Sequence, residues 1–93
     1  MITAIVFIHA ANDQIPEVAE KIAAIEGVSE VYSVTGGIDL IAMVRVRAFE
    51  AVAAVVTDGI SKVDGVLETT THFAFRAYSQ HDLDATFSLG LGD

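Results

Sequence analysis

The hydrophobic positions along the chain follow two periods in turn, and this predicts a strand–helix–strand pattern that occurs twice. Residues 2–9 are rich in β-branched and aromatic side chains at both parities, which is typical of a strand with a layer on each face. From Ile15 to Ala23 the apolar positions have helical spacing, and Pro16 falls in the first turn, where proline is tolerated. We expect Gly27 to end this helix as its C′ residue.

The next two apolar runs predict a β-hairpin. Val28–Val34 and Leu40–Arg47 flank the sequence Thr-Gly-Gly-Ile-Asp at residues 35–39, and both glycines tolerate positive φ. A second helix is predicted over about Phe49–Lys62, followed by a strand from Val66 to about Tyr78. The apolar stripe of that helix is expected to consist of Phe49, Val52, Ala53, Val56, Ile60 and Val63.

A short internal repeat supports this division of the chain. Residues 26–30 and 64–68 share the pattern acid-Gly-Val-x-Glu, and each copy follows a predicted helix and opens a strand. Two βαβ units joined by a hairpin, with right-handed crossovers, give an α+β fold of the ferredoxin-like βαββαβ type. We expect a four-stranded antiparallel sheet in the order 4-1-3-2 with both helices on one face.

The composition predicts that this sheet is covered on its second face by another copy. The chain has 93 residues, of which 53% are hydrophobic, and a single domain of this length has a small core. The first and third strands carry apolar side chains on the face away from the helices. Leaving each of them in water forgoes roughly 1.5–3 kcal/mol. We therefore expect a homodimer that forms through the sheets.

The charges and the missing cysteines narrow the function classes. The net charge is −8 with only five Lys and Arg residues, so direct nucleic-acid binding and binding to an anionic membrane are not expected. The absence of cysteine excludes disulfides and thiolate zinc sites, and it fits a cytoplasmic protein. No cofactor is indicated, and no signal peptide or membrane span is predicted.

Three short motifs in this order resemble one known family. They are Gly27-Val28, the turn Val34–Leu40, and Gly65-Val66 with the threonines 69–71. Their order and spacing are similar to the effector-binding (RAM) domain of the Lrp/AsnC regulators, over about residues 2–78. Ile38 is a departure, because the family often has an aromatic residue there. The resemblance divides the chain into a ligand-binding domain at residues 1–79 and a C-terminal tail at residues 80–93.

The resemblance implies a site for an amino acid or a related metabolite at the glycine turn and the last strand. It further implies a stand-alone regulatory domain without a DNA-binding segment, which modulates transcription through oligomerisation or through co-assembly with a full-length Lrp/AsnC relative. The sequence leaves open whether the assembly is a dimer or an octamer. The implied ligand-binding residues are Thr35, Gly36, Gly37, Asp39, Thr69, Thr70 and Thr71.

The same residues have plainer interpretations. The glycines and Asp39 are also what an ordinary turn requires, and a run of threonines is typical of any strand. His9 and His72, on strands predicted to be neighbours, have no metal-ligand spacing and are expected to be ordinary strand histidines. In the tail, His81-Asp82-Leu83-Asp84 is expected to be a solvated acidic segment, although it could ligate a cation. Arg45 and Arg76 are expected to find a carboxylate partner or to reach solvent, or else to hold a substrate acid.

Two other functions remain open alongside the sensor. One is a pure assembly partner that binds no ligand of its own. The other is a dimeric α+β barrel enzyme, such as a small monooxygenase or isomerase, with His9, Tyr32, His72 and Arg76 as candidate groups. No nucleophile–base pair is evident, and a fold alone does not give chemistry, so we expect that the domain is not an enzyme.

Overall fold

A computed structural model describes residues 1–80 of the chain, and these form one antiparallel sheet with helices on one face. The strands are β1 (Ile2–Ala10), β2 (Val28–Ser33), β3 (Leu40–Val46) and β4 (Val66–Phe73). Their order across the sheet is β2-β3-β1-β4, which is the predicted order read from the other edge. The first helix, α1, covers Ile15–Ala23 and has Pro16 in its first turn, as predicted.

The core lies between the sheet and the helices and takes alternate residues of the two central strands. Every second residue of β1, from Ala4 to Ala10, is buried on the helix face, and so is every second residue of β3 from Leu40 to Val46. The helices contribute Val18, Ile22, Val52, Val55 and Ile60 to this core. No polar or charged residue is buried among residues 1–80.

The second helix is less regular than predicted. It consists of α2 (Phe49–Ala53), a π-helical segment (Ala54–Gly59) and a 3₁₀ turn (Ile60–Lys62). The π-helical spacing of five residues allows Val55 and Ile60 to be buried together, whereas Val56 is only half-buried. Phe49 and Ala53, which were expected in the core, are exposed. Ala48 provides no side-chain cap for the helix, consistent with its weak capping ability.

Two predicted boundaries were wrong. Gly27 does not end α1, because the helix ends at Ala23. Two further turns separate the helix from β2. In the first the Ile25 N–H donates to the Ile22 carbonyl, and in the second the Val28 N–H donates to the Ile25 carbonyl. Gly27 has φ +100° in the second of these turns. The last strand ends at Phe73 and not at Tyr78. Its neighbour β1 begins at Ile2, so β4 loses its pairing partner just after the Ala74 N–H bond to the Thr3 carbonyl.

The face of the sheet away from the helices is here called the open face. It carries Ile5 and Phe7 from β1 and Ile41 and Met43 from β3, and all four are only partly buried within one copy. This is the apolar second face that the pattern predicted. Residues 81–84, expected to be a solvated acidic segment, and almost all of the predicted tail lie outside the described residues.

Candidate functional site

The turn between β2 and β3 is a four-residue loop closed by a single backbone bond. The Val34 N–H donates to the Asp39 carbonyl over 3.1 Å, and residues 35–38 lie beyond that bond. Of the two glycines, only Gly36 has positive φ, at +110°. A Cβ atom at either glycine would meet no other atom within 4 Å. The space that a side chain at Gly36 or Gly37 would occupy is therefore open.

Asp39 fastens this turn to the end of β1. Its carboxylate oxygen Oδ2 accepts a hydrogen bond from the Ala10 N–H at 3.0 Å, and its own N–H donates to the Ile8 carbonyl at 3.0 Å. The sequence suggested that a structural role of Asp39 would be to cap its own turn. The structure shows instead that its carboxylate holds the neighbouring strand, while 28% of the side chain remains exposed.

His9 lies between two carboxylates at this end of the open face. Its Nδ1 is 3.9 Å from Asp39 Oδ2 and its Nε2 is 3.8 Å from Glu68 Oε1. Both distances exceed a hydrogen bond, and the His9 side chain is 39% exposed. Glu68 was not predicted as a site residue. The sequence predicted the first and last strands as neighbours but not the register that places Glu68 opposite His9.

His9 and His72 do not approach each other across β1 and β4. The register of β1 and β4 pairs His9 with Glu68 and Ile5 with His72, so the two histidines are four residues apart along the sheet. His72 instead packs its ring against Phe7, with 5.0 Å between ring centroids. Strand order was predictable from the sequence, but the register that decides this pairing was not.

The three predicted threonines do not form one cluster. Thr69 pairs with Ile8 and Thr71 with Val6, so both lie on the helix face. Thr70 pairs with Phe7 and lies on the open face, which it shares with His9 and Glu68. Since β1 separates β4 from the turn, these threonines are at least two strand spacings from Asp39, about 10 Å.

A second concave surface lies between the second helix and the edge strand β4. The rings of Phe49 and Phe73 stack there with centroids 4.5 Å apart and an interplanar angle of 12°. Together with Thr71 and the helix residues Val52 and Val56 they line a groove of about 330 Å³. This groove was not predicted, because Phe49 was expected to be part of the core.

Arg45 has a carboxylate partner, which is one of the outcomes expected from the sequence. Its Nη1 donates to Glu30 Oε1 at 3.0 Å on the open face, and both side chains are partly exposed. The guanidinium holds the pKa of Glu30 below its ordinary value, with a smaller contribution from a Tyr32 hydrogen bond. Glu30 in turn raises the pKa of Tyr32.

Within residues 1–80 no three His, Asp or Glu side chains are grouped as metal ligands. In the same part of the chain no helix is long and apolar enough to cross a membrane. The four groups proposed for an enzyme are dispersed: Tyr32 hydrogen-bonds Glu30, His72 packs on Phe7, and His9 is at the turn. Arg76 lies beyond β4.

The strand order and the helices define a ferredoxin-like α+β domain, and comparison with known families identifies which family it belongs to. The model of the Lrp/AsnC ligand binding domain matches residues 3–84. The chain belongs to this family. The match extends a few residues beyond the predicted domain boundary at residue 79.

Two relatives illustrate the relationship. YugG of Bacillus subtilis, an uncharacterized HTH-type transcriptional regulator, is 41% identical over 66 residues, which are 71% of this chain and 39% of YugG. TTHA0845 of Thermus thermophilus has a crystal structure that superimposes with a TM-score of 0.80 at 46% identity, covering 86% of this chain and 100% of that one. The chain thus matches well under half of the length of the curated regulator.

More distant structures share the fold. The regulator NMB0573 of Neisseria meningitidis, solved as a complex with L-Met, has a TM-score of 0.75 at 17% identity and covers 85% of this chain and 53% of that one. The siroheme decarboxylase NirDL, solved with an iron-uroporphyrin III analogue, has a TM-score of 0.71 at 25% identity. The match covers 81% of this chain and 26% of that one. Regulators and an enzyme therefore both use this architecture.

Proposed function

We propose that this domain binds a small amino acid or a related metabolite at the turn of residues 35–39 and acts as a non-catalytic regulatory module. The observation that carries the proposal is Gly37. Its φ is not positive and a Cβ there would meet nothing within 4 Å, so neither backbone conformation nor packing within one copy requires glycine. A missing side chain at this position leaves the backbone N–H groups open to a ligand carboxylate.

Asp39 completes this proposed site as the partner of an α-ammonium group. One of its oxygens is held by the Ala10 N–H, which fixes the orientation of the carboxylate, and an ionised carboxylate can accept several hydrogen bonds. Thr35 and Gly36 lie in the same turn, and Thr70 is the strand threonine on the same face of the sheet. Thr69 and Thr71 belong to the proposed site only for a ligand that enters from the helix side of β4.

The experiment is a thermal-shift and light-scattering screen of the purified protein with the twenty amino acids. For the amino acid that responds, Asp39→Asn should weaken binding about tenfold or more, since the amide oxygen can still accept from Ala10 while the charge is lost. Gly37→Val should weaken binding by obstructing the turn. Ser29→Val, an exposed position of β2, is the matched control. Unchanged affinity in both turn variants would exclude this site.

We further propose that two copies associate through their open faces. The support is the partly exposed apolar group of Ile5, Phe7, Ile41 and Met43, which a second sheet would cover. Ile41→Glu should convert a dimer into a monomer in light scattering, while Ser29→Glu should not. A wild-type monomer, or an Ile41→Glu dimer, would contradict the proposal. A larger ring such as an octamer would appear in the same measurement.

The regulatory role follows from the family and is part of the same proposal. YugG is named as a helix-turn-helix regulator, and the region matched here is 39% of its length. We infer that this domain modulates transcription in the cytoplasm through ligand-dependent assembly, either with itself or with a longer Lrp/AsnC relative. Residues 1–79 would bind the ligand and residues 80–93 would be accessory to them. Co-purification with such a relative from the native host tests the second route.

A further inference from the structure

The outer edge of β4 is an unpaired strand edge. β4 is the last strand of the sheet, and within the part of the chain that the structure describes it pairs only with β1. The Ala74 N–H donates to the Thr3 carbonyl on the β1 side. Because N–H groups alternate in direction along an antiparallel strand, those of Thr69, Thr71 and Phe73 point to the outer edge. An edge of this kind accepts a further strand.

The groove between the second helix and β4 lies beside this edge, on the helix face of the sheet. Its volume is about 330 Å³, and apart from Thr57 and Thr71 its lining side chains are apolar. The stacked rings of Phe49 and Phe73 are 59% and 41% exposed. A contiguous exposed apolar surface marks an interaction site. A second copy on the open face would leave this groove uncovered, because the groove is on the opposite side of the sheet.

The sequence contains a segment whose pattern fits this surface. Two sets of residues alternate in it: Ala85, Phe87, Leu89 and Leu91 are apolar, and Thr86, Ser88 and Gly90 are small or polar. No residue from 85 to 92 is charged, although the chain has a net charge of −8. Strict alternation is typical of a strand with one covered face. The family match ends at residue 84, so this segment is additional to it.

We propose that residues 85–91 add to the outer edge of β4 as a fifth strand, antiparallel to β4 and in the same copy. Residues 74–84 connect β4 to this segment. A connection of that length reaches up to about 36 Å, which is sufficient for the chain to return along the edge. The inference rests neither on amino-acid binding at the turn nor on the association of two open faces.

The alternation of the segment matches the two faces of β4. On the helix face β4 presents Phe73 to the groove, and the set that contains Phe87 covers it. On the open face β4 presents the polar side chains of Glu68 and Thr70, and the set that contains Ser88 lies beside them. The opposite assignment would place Phe87 among polar neighbours and leave the groove exposed. The pattern therefore determines which side of the segment faces the helix.

Amide hydrogen exchange followed by NMR tests the fifth strand in the full chain. The amides of Thr71 and Phe73 should exchange at least about tenfold more slowly in the wild type than in Phe87→Asn. Ser88→Asn places the same side chain in the other set of the segment, so it should retain most of the protection. The Thr70 amide faces β1 and should be equally protected in all three proteins.

Three outcomes would overturn the proposal. The first is equally fast exchange of the outer-edge amides in the wild type and in Phe87→Asn. The second is equal loss of protection in Phe87→Asn and Ser88→Asn, because the alternation of the segment would then be irrelevant. The third is loss of protection at Thr70 together with the outer-edge amides, because the effect would then not be confined to the edge.

A mixture of isotope-labelled and unlabelled protein identifies the copy that supplies the segment. Nuclear Overhauser contacts between the ring of Phe87 and the rings of Phe49 and Phe73 should arise within one copy. They should be missing from the spectrum that selects contacts between labelled and unlabelled copies. Contacts between copies, or no contact of Phe87 with either ring, would contradict the proposed arrangement.

Discussion

The glycines of the internal repeat and the glycines of the hairpin turn have opposite surroundings. Gly27 and Gly65 both have φ near +100°, and a Cβ at either would lie 2.7 Å from a valine methyl group, on Val55 and Val18 respectively. Gly36 and Gly37 have no atom within 4 Å of that position. The repeat glycines are thus required by packing and by backbone conformation. The hairpin glycines are exposed, and Gly37 meets neither requirement.

The contrast distinguishes glycines that the fold requires from a glycine that we propose leaves room for a ligand. A glycine that the fold requires is explained without a ligand. Gly37 is not explained by the fold, and it lies in the turn that the family resemblance identified. Substituting alanine at the four glycines should therefore lower the free energy of unfolding by very different amounts. Loss of the exposed Glu30–Arg45 ion pair should lower it less than most of these substitutions.

The largest effect is expected from Gly65→Ala and Gly27→Ala. Each adds a methyl group that collides with a core valine and also strains the backbone at positive φ, so we expect a loss of about 2–4 kcal/mol in the free energy of unfolding. Urea denaturation measures it. Combining Gly65→Ala with Val18→Ala should recover part of the loss from the collision. A cost below about 1 kcal/mol in both single variants would show that the two contacts relax easily.

Gly36→Ala should have an intermediate effect. Its φ of +110° is unfavourable for alanine, but the added methyl group has open space, so only backbone strain of about 1–2 kcal/mol is expected. Gly36→Asn should cost less than Gly36→Ala, because asparagine tolerates positive φ better. Equal stability of the alanine variant and the wild type would mean that the turn readily adopts another conformation.

Gly37→Ala should leave stability within about 0.5 kcal/mol of the wild type, because nothing in one copy constrains this residue. The informative readout is binding of the amino acid found in the screen, which should weaken. A variant that is stable and binds normally would remove the argument for a ligand at the turn. A variant that is strongly destabilised would show that Gly37 has a contact with a second copy.

The smallest effect concerns Glu30 and its pairing with Arg45. Because the folded-state pKa of Glu30 is lowered, its contribution to stability is present above the ordinary pKa of a glutamate. It is lost as the pH falls through the lowered value. Glu30→Gln should therefore be slightly less stable than the wild type at pH 7, and the difference should shrink progressively in acid. Denaturation at neutral and acidic pH is the test, and a difference that grows in acid would contradict the sign.

Much of the fold was predictable because its information is local and periodic. The periods of two and of about 3.6 residues located the strands and helices, and the acid-Gly-Val-x-Glu repeat located the entry to β2 and β4. The turn was predictable from Gly36 and Gly37, although only Gly36 uses positive φ. The candidate site was predictable only in part. Asp39 was named as a candidate from the sequence, but its bond to Ala10, its approach to His9 and the proximity of Glu68 depend on strand register.

Spacing along the chain was enough to predict the order of the elements, the strand order and the family resemblance. Tertiary structure decided the features that depend on distant partners. The π-helical segment exists because Val55 and Ile60 are buried together against the sheet. Strand β4 ends at Phe73, opposite Ala4 and close to the start of β1, so its end depends on a strand that is distant in sequence.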